Sequence, residues 1–198
     1  MTRVFSSLPL LWLILMWPGI DVIRGLFDGS WYYPQMMQQS GVWSIYLLIL
    51  TVSVTPVTLV LGRLGFGLPV ARWLIKRRRH FGLASFVYAA LHVAHYLIEE
   101  ASLAGVLTQA ATLEYASGWL AFGLFLTLAV TSNDWALRKL GRRWKALHRW
   151  TYAAAGLSFL HWALFEFWIA AVVPWILAFV AVKAVHVGLR RWPRRAVL

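Results

Sequence analysis

Six stretches of mostly apolar residues, each close to the length that crosses a lipid bilayer, constrain this chain more than any other feature. A helix needs about 20 apolar residues to span a hydrocarbon core about 30 Å thick. The predicted spans cover residues 4–27, 42–61, 81–98, 116–131, 147–168 and 170–189. Only 13% of the residues are charged, which is too few to cover the surface of a soluble domain. We therefore expect an all-α integral membrane bundle of six helices, forming a single transmembrane domain over residues 1–198.

The first span has the weakest pattern, because its continuous apolar run stops at Ile20. A secretory signal peptide is the competing interpretation. However, residues 16–21 read MWPGID and offer no pair of small residues for cleavage. We expect a retained helix, with a cleaved or re-entrant segment as the alternative.

The charged residues predict an orientation in the membrane. All of the 19 Lys and Arg except Arg24 fall on one side of the predicted spans, and all acidic residues except Asp134 fall on the other. The positive-inside rule then places both termini in the cytoplasm and requires an even number of spans. The basic charge thus indicates topology and contact with anionic membrane lipid. We expect no nucleic-acid binding, because no soluble fold remains to support it. The absence of cysteine excludes thiolate metal sites.

All six histidines lie in or at the edge of a predicted span: His80, His92, His95, His148, His161 and His186. Ionisable groups inside a membrane are costly and usually functional. Neutral imidazole is a common metal ligand and a standard axial ligand of heme. Proton pathways usually combine His with Asp or Glu, and carboxylates at membrane depth are nearly absent here. The pattern therefore favours a heme site over a proton path.

Two of these histidines have matching depths. His92 lies seven residues before Glu99, and His161 lies seven before Trp168, each on a span that runs outward. They are a candidate pair of axial ligands for one b-type heme. His95 lies one turn from His92 on the same face, so it is the alternative ligand or a partner for a heme propionate.

A second heme is predicted at the inner edge of the bundle, with His148 as one ligand. The other ligand is His80 or His186, and we favour His80 because it repeats the pairing of spans three and five. The 13 residues between His148 and His161 leave them about 140° apart on an ideal helix. Both can face one interior only if the helix bends. Four arginines are candidate contacts for heme propionates or a flavin phosphate: Arg77, Arg78, Arg142 and Arg143.

Three segments carry a family resemblance: residues 131–162 (TSNDWALRKLGRRWKALHRWTYAAAGLSFLHW), 76–97 (KRRRHFGLASFVYAALHVAHYL) and 55–62 (TPVTLVLG). They resemble the MsrQ (YedZ) family of the ferric-reductase-like transmembrane superfamily. The resemblance implies a six-helix b-type cytochrome of the bacterial inner membrane, with one or two heme b groups. His92, His148 and His161 match the family's heme histidines. An association with FMN is also implied, and the motifs do not carry its site.

The resemblance further implies a role in electron transfer. Electrons would come from the quinol pool or a cytoplasmic flavin reductase. They would pass to a periplasmic molybdopterin-dependent methionine sulfoxide reductase, MsrP. The chain would then be an electron-transfer subunit without catalytic residues of its own, rather than the enzyme that reduces the substrate. Two alternatives remain: a free-standing transmembrane reductase of metal ions or quinones, and a non-redox bundle that conducts protons or ions or binds lipid.

Overall fold

The computed structural model describes residues 7–27, 33–65, 67–166 and 169–191. These residues are almost wholly helical, and no β-strand occurs among them, as the sequence predicts. The α-helices are α1 (Leu8–Met16), α2 (Ile20–Phe27), α3 (Tyr33–Leu64), α4 (Leu68–Glu100), α5 (Leu103–Gln109), α6 (Leu113–Val130), α7 (Asp134–Leu140), α8 (Arg142–Leu147), α9 (Thr151–Phe165) and α10 (Ile169–Arg191). Two short 3-10 segments, Trp17–Gly19 and His148–Trp150, interrupt this order.

The first predicted span, residues 4–27, is a broken helix. The 3-10 segment Trp17–Gly19 separates α1 from α2, and Pro18 lies inside it. Proline lacks a backbone N–H and its ring clashes with the preceding turn, so it interrupts an α-helix. Residues 4–6 of the prediction lie outside the described residues.

The two longest helices, α3 and α4, form an antiparallel hairpin. Gly65 and Gly67 make the turn between them, with φ angles of 72° and 70° that favour glycine. The sequence predicts a bent connector before the third span. Instead α4 begins at Leu68, directly after the turn, and continues through the basic residues of the predicted loop.

A regular seam holds α3 against α4. His92 contacts the Met37 carbonyl, Ser85 and Ser44 exchange hydrogen bonds, and Arg78 contacts the Thr51 carbonyl. Successive pairs are seven residues apart on both helices, which is the heptad spacing of antiparallel helices that pack side by side. This seam fixes the depth and direction of His92.

The remaining helices complete the bundle around this hairpin. α9 packs antiparallel to α6, and α10 packs along α3 and α9. A hydrophobic core joins α3, α6, α9 and α10, and its buried members include Leu48, Phe125, Phe159 and Val172. The glutamates that end α4 and begin α6 lie at one end of the bundle, called the acidic end below. The opposite end, with the start of the basic run of α4, is called the basic end.

Five helical segments in the described residues are long and apolar enough to cross a membrane: Leu8–Gly25, Pro34–Leu64, Leu68–Glu100, Leu113–Val130 and Ala170–Leu189. The predicted fifth span, residues 147–168, is not among them. Its α-helix, α9, has 15 residues and is preceded by the 3-10 segment His148–Trp150. A 15-residue helix is about 22 Å long, shorter than the hydrocarbon core.

Candidate functional site

A cavity of about 320 Å³ opens between α3, α4, α6 and α9 towards the acidic end. Its lining is mainly apolar and aromatic and includes Trp119, Phe122 and Phe125. Two histidines lie on its wall, His92 from α4 and His161 from α9. Apolar cavities with a few polar groups are the usual form of cofactor sites, so this cavity is the candidate functional site.

The ring of His92 is held by α3. Its Nδ1 lies 2.7 Å from the carbonyl oxygen of Met37. A carbonyl oxygen can only accept a hydrogen bond, so Nδ1 must carry the proton and donate it. The unprotonated nitrogen of His92 is therefore Nε2, which has the lone pair that a metal requires.

The ring of His161 is held by α6 in the same manner. Its Nδ1 lies 2.8 Å from the carbonyl oxygen of Glu114, so this ring also carries its proton on Nδ1. Histidines that bind metals almost always donate their second ring N–H to a carbonyl or carboxylate. Both rings of the cavity therefore have the tautomer and the second contact expected of metal ligands.

The two rings lie close together across the cavity. Their centroids are 5.9 Å apart and their planes are inclined at 89°. Among the described residues, no group of three or more His, Asp or Glu side chains is placed to hold a metal ion. This pair can therefore supply two ligands to a metal whose remaining ligands come from a cofactor.

His95, the alternative to His92, has a different position. It is completely buried, and its Nδ1 bonds the Leu91 carbonyl of its own helix at 2.8 Å. It is not among the residues that line the cavity.

The basic end contains His148. Its Nε2 lies 3.1 Å from the Thr131 hydroxyl, and its ring stacks on Trp144 with centroids 3.8 Å apart. Trp144 in turn donates to the Thr131 carbonyl at 2.8 Å. His148 lies in the 3-10 segment that precedes α9, so it does not share one continuous α-helix with His161.

The two candidate partners of His148 lie on other helices. His80 is 12 residues before His92 on α4, which turns it about 120° away from the α3 seam. Its ring meets Trp12 of α1 edge-on, with centroids 5.9 Å apart. His186 is half-buried on α10. The structure thus brings the rings of His92 and His161 together. Among the described residues, no contact between the rings of His148 and His80 is observed.

The candidate arginines lie at the basic end, and one of them, Arg78, is bound to α3. Arg78 donates to the Thr51 carbonyl at 3.1 Å and to the Thr55 hydroxyl at 3.0 Å, so two of its nitrogens contact α3. Arg142 and Arg143 are exposed on α8, and Arg77 is half-buried on α4.

An ion pair between α4 and α7 borders this region. Arg79 donates to Asp134 Oδ1 at 2.7 Å. This hydrogen bond, together with the positive charge of Arg79, lowers the pKa of the exposed Asp134 below its ordinary value. Asp134 therefore keeps its negative charge, and its attraction to Arg79, until the pH falls through that lowered pKa.

Comparisons with known proteins identify the family of the chain. A family model described as "Ferric reductase like transmembrane component" matches residues 40–159, a range that includes His92 and His148. A protein of Rhizobium meliloti (strain 1021), named protein-methionine-sulfoxide reductase heme-binding subunit MsrQ, is 31% identical over 169 residues. That match covers 78% of this chain and 71% of the relative. The chain belongs to the MsrQ family. Together with the five apolar helical segments, this membership makes it a multi-pass membrane protein.

Other relatives match over a shorter range. The proteins of the same name from Brucella ovis and Brucella canis are 34% identical over 127 residues. These matches cover 63% of this MsrQ-family chain and 54% of each relative. The chain thus aligns with little more than half the length of the Brucella proteins.

Four residues of the site are not evident from the sequence. Met37 and Glu114 contribute only backbone carbonyls, which every residue has, so no residue type identifies them. Gly41 and Gly118 have no side chain, and this leaves room for the two imidazole rings. The sequence could have indicated them only by spacing, because each glycine lies four positions after the residue whose carbonyl binds the histidine.

Proposed function

We propose that this protein is a b-type heme subunit that carries electrons across the bacterial inner membrane. The observation that supports this most directly is the pair His92 and His161. Both histidines lie on the wall of one cavity, and the Nδ1 of each donates to a backbone carbonyl. The names of the relatives, which state heme binding, support the same cofactor.

The spacing of the two rings fits an iron held between them. A metal–imidazole bond is about 2 Å long, and the ring centroid lies about 1.1 Å behind the nitrogen, so two imidazoles on one metal would place their centroids up to about 6.2 Å apart. The observed separation is 5.9 Å. A shift of a few tenths of an ångström would accommodate the metal, and a porphyrin would supply the four remaining ligands.

When bound, the heme supplies one-electron redox chemistry at its iron. The residues of the chain hold and insulate it. His92 and His161 would hold the heme iron, and Met37 and Glu114 would fix the ring orientations through their carbonyls. The aromatic lining, including Trp119 and Phe122, would exclude water and lower the local polarity, which shifts a heme potential.

We further propose a second heme at the basic end, with His148 as one ligand and His80 or His186 as the other. A ligand role for His148 requires its Nε2 to exchange the Thr131 contact for the metal. Arg77, Arg142 and Arg143 are the proposed contacts for propionates or for the phosphate of FMN. Arg78 would join them through its remaining N–H groups, since a guanidinium has five.

The proposed orientation places the acidic end and the His92–His161 cavity on the periplasmic side, with six spans and both termini in the cytoplasm. The uneven distribution of Lys and Arg supports this orientation. In this arrangement α8, α9 and the 3-10 segment together form the fifth crossing. Electrons would then pass from a quinol or a cytoplasmic flavin reductase to a periplasmic methionine sulfoxide reductase, with this chain as the transfer subunit.

Spectroscopy of histidine variants tests the proposal. Purified wild-type protein from heme-replete cells should show the sharp α-band of a bis-His b-type heme after reduction with dithionite. His92→Ala and His161→Ala should each lose the heme of the cavity, because one axial ligand is removed. His95→Ala is the matched control and should retain that heme, since His95 does not line the cavity. A colourless wild-type protein, or unchanged heme content in both His92→Ala and His161→Ala, would refute the assignment.

A further inference from the structure

We propose that Gly41 and Gly118 are positioning residues that seat the rings of His92 and His161. This inference rests on the proposed heme ligation, and it adds two residues of α3 and α6 to that site. Both glycines line the cavity, and each lies four residues after the carbonyl that accepts the N–H of the neighbouring histidine.

The first seat lies on α3. In an α-helix the carbonyl of residue i already accepts the N–H of residue i+4, so the Met37 carbonyl is paired with Gly41 within the helix. The same oxygen also accepts from Ser40 Oγ at 2.8 Å. His92 must therefore approach it from the side, past residue 41. A Cβ atom at Gly41 would lie 3.0 Å from His92 Nδ1 and 3.3 Å from its Cε1. The ring occupies the space that glycine leaves open.

The second seat, on α6, repeats this arrangement more tightly. His161 donates to the Glu114 carbonyl, and Gly118 is the residue four positions later. A Cβ atom at Gly118 would lie 2.7 Å from both Cε1 and Nδ1 of His161. Carbon atoms essentially never approach so closely, so an alanine here would displace the ring from the carbonyl.

Displacing the ring would affect the metal as well as the packing. The bond from Nδ1–H to a carbonyl fixes the ring orientation and raises the basicity of Nε2. A less basic ligand stabilises oxidised iron less, so the midpoint potential of the heme should rise. Substitution of such outer partners typically weakens metal affinity about 10- to 100-fold.

Four alanine variants test the two seats. Gly41→Ala and Gly118→Ala are compared with Gly62→Ala on α3 and Gly123→Ala on α6, where a Cβ atom would meet nothing within 4 Å. Alanine favours the helical conformation over glycine in all four, so weakening of the helix cannot explain a defect. The measurements are heme per protein by pyridine hemochrome, the midpoint potential by redox titration, and helix content by circular dichroism.

Gly118→Ala should bind the heme of the cavity about 10-fold more weakly or worse, whereas Gly41→Ala should weaken it less but raise its midpoint potential. Both controls should match the wild type. If Gly118→Ala fails to fold, the milder contact at Gly41 decides the question through its potential. The inference is overturned if Gly41→Ala matches Gly62→Ala, and folded Gly118→Ala matches Gly123→Ala, while His92→Ala loses heme. A heme-free wild type would overturn the proposed function as well.

Discussion

The imidazole planes of His92 and His161 are inclined at 89° because each ring follows a carbonyl on a different helix. The directions of α3 and α6 therefore determine the angle between the two rings. If these rings hold the proposed heme iron, their perpendicular planes would act equally on the two iron dπ orbitals that overlap with imidazole. These orbitals would then remain nearly equal in energy in the oxidised, low-spin state.

Electron paramagnetic resonance can detect this arrangement. The oxidised wild-type protein should give a strongly anisotropic low-spin signal, as expected for nearly degenerate dπ orbitals. His95→Ala should leave the signal unchanged, because that ring lies outside the cavity lining. Because the proposed second heme at the basic end would give its own signal, the spectrum is also recorded for His148→Ala. A rhombic signal in that variant, which parallel imidazole planes produce, would contradict the ring geometry of His92 and His161.

At the residue scale, the sequence predicts the ligand types and their depths but not their surroundings. Equal distances from the span ends predict that His92 and His161 lie at one depth, because helical rise converts residue number into depth, and the structure places their ring centroids 5.9 Å apart. The choice between His92 and His95 depends on the direction of each side chain about α4. That direction follows from the α3 seam, which only the packed structure defines.

Two reciprocal hydrogen bonds between Ser44 and Ser85, called the clasp below, join α3 and α4 midway along their seam. Ser44 Oγ donates to the Ser85 carbonyl at 2.9 Å, and Ser85 Oγ donates to the Ser44 carbonyl at 2.8 Å. Both side chains are buried. Serine is small, so the two backbones can approach closely, as in other membrane helix pairs.

Removal of either hydroxyl should weaken the hairpin. Ser44→Ala and Ser85→Ala are each expected to lower the free energy of unfolding by about 0.6 kcal/mol, the typical value for such bonds in membranes. The double variant should deviate from additivity, because the two residues share one cluster. Unfolding in mixed detergents with increasing dodecyl sulfate, followed by circular dichroism, measures these changes.

Ser53→Ala is the matched control for this experiment. Within the described part of the chain, its hydroxyl bonds only the Ile49 carbonyl of its own helix, at 2.7 Å. Its loss should therefore change the stability less than the loss of either clasp serine. Equal stability of all three single variants would show that the clasp does not stabilise the hairpin.

At the element scale, the sequence predicts the apolar stretches but not the ends of the helices. Hydropathy marks the part of α4 that can lie in lipid, whereas the helix itself also includes the preceding basic residues, which are good helix formers. Conversely, residues 147–168 form one apolar stretch, but the backbone tightens into a 3-10 segment at His148–Trp150. Hydropathy does not report such a local change of hydrogen bonding.

At the scale of the whole molecule, the distribution of charge supports the proposed orientation in the membrane. Two charged residues, Arg24 and Asp134, lie on the side opposite to the other residues of their own charge. Arg24 forms an ion pair with Asp21, with 3.5 Å between the charged atoms. Asp134 is paired with Arg79. Both exceptions therefore have a local partner of opposite charge.

Labelling of introduced thiols tests this orientation and the number of spans. The natural sequence has no cysteine, so each single-cysteine variant has one reactive group. A membrane-impermeant maleimide applied to spheroplasts should label Leu103→Cys on α5, which is 76% exposed. It should label Thr2→Cys, Arg138→Cys and Ala196→Cys only after the membrane is opened. Labelling of one terminus but not the other in intact spheroplasts would require an odd number of spans.

The length of α4 determines how the protein adapts to bilayers of different thickness. Its 33 residues extend about 50 Å, against a hydrocarbon core of about 30 Å. The four consecutive cations from Lys76 to Arg79 resist being drawn into the acyl region, since each would lose its hydration. A change in membrane thickness should therefore be met by tilting of the hairpin and by displacement of its acidic end relative to the lipid headgroups near that end.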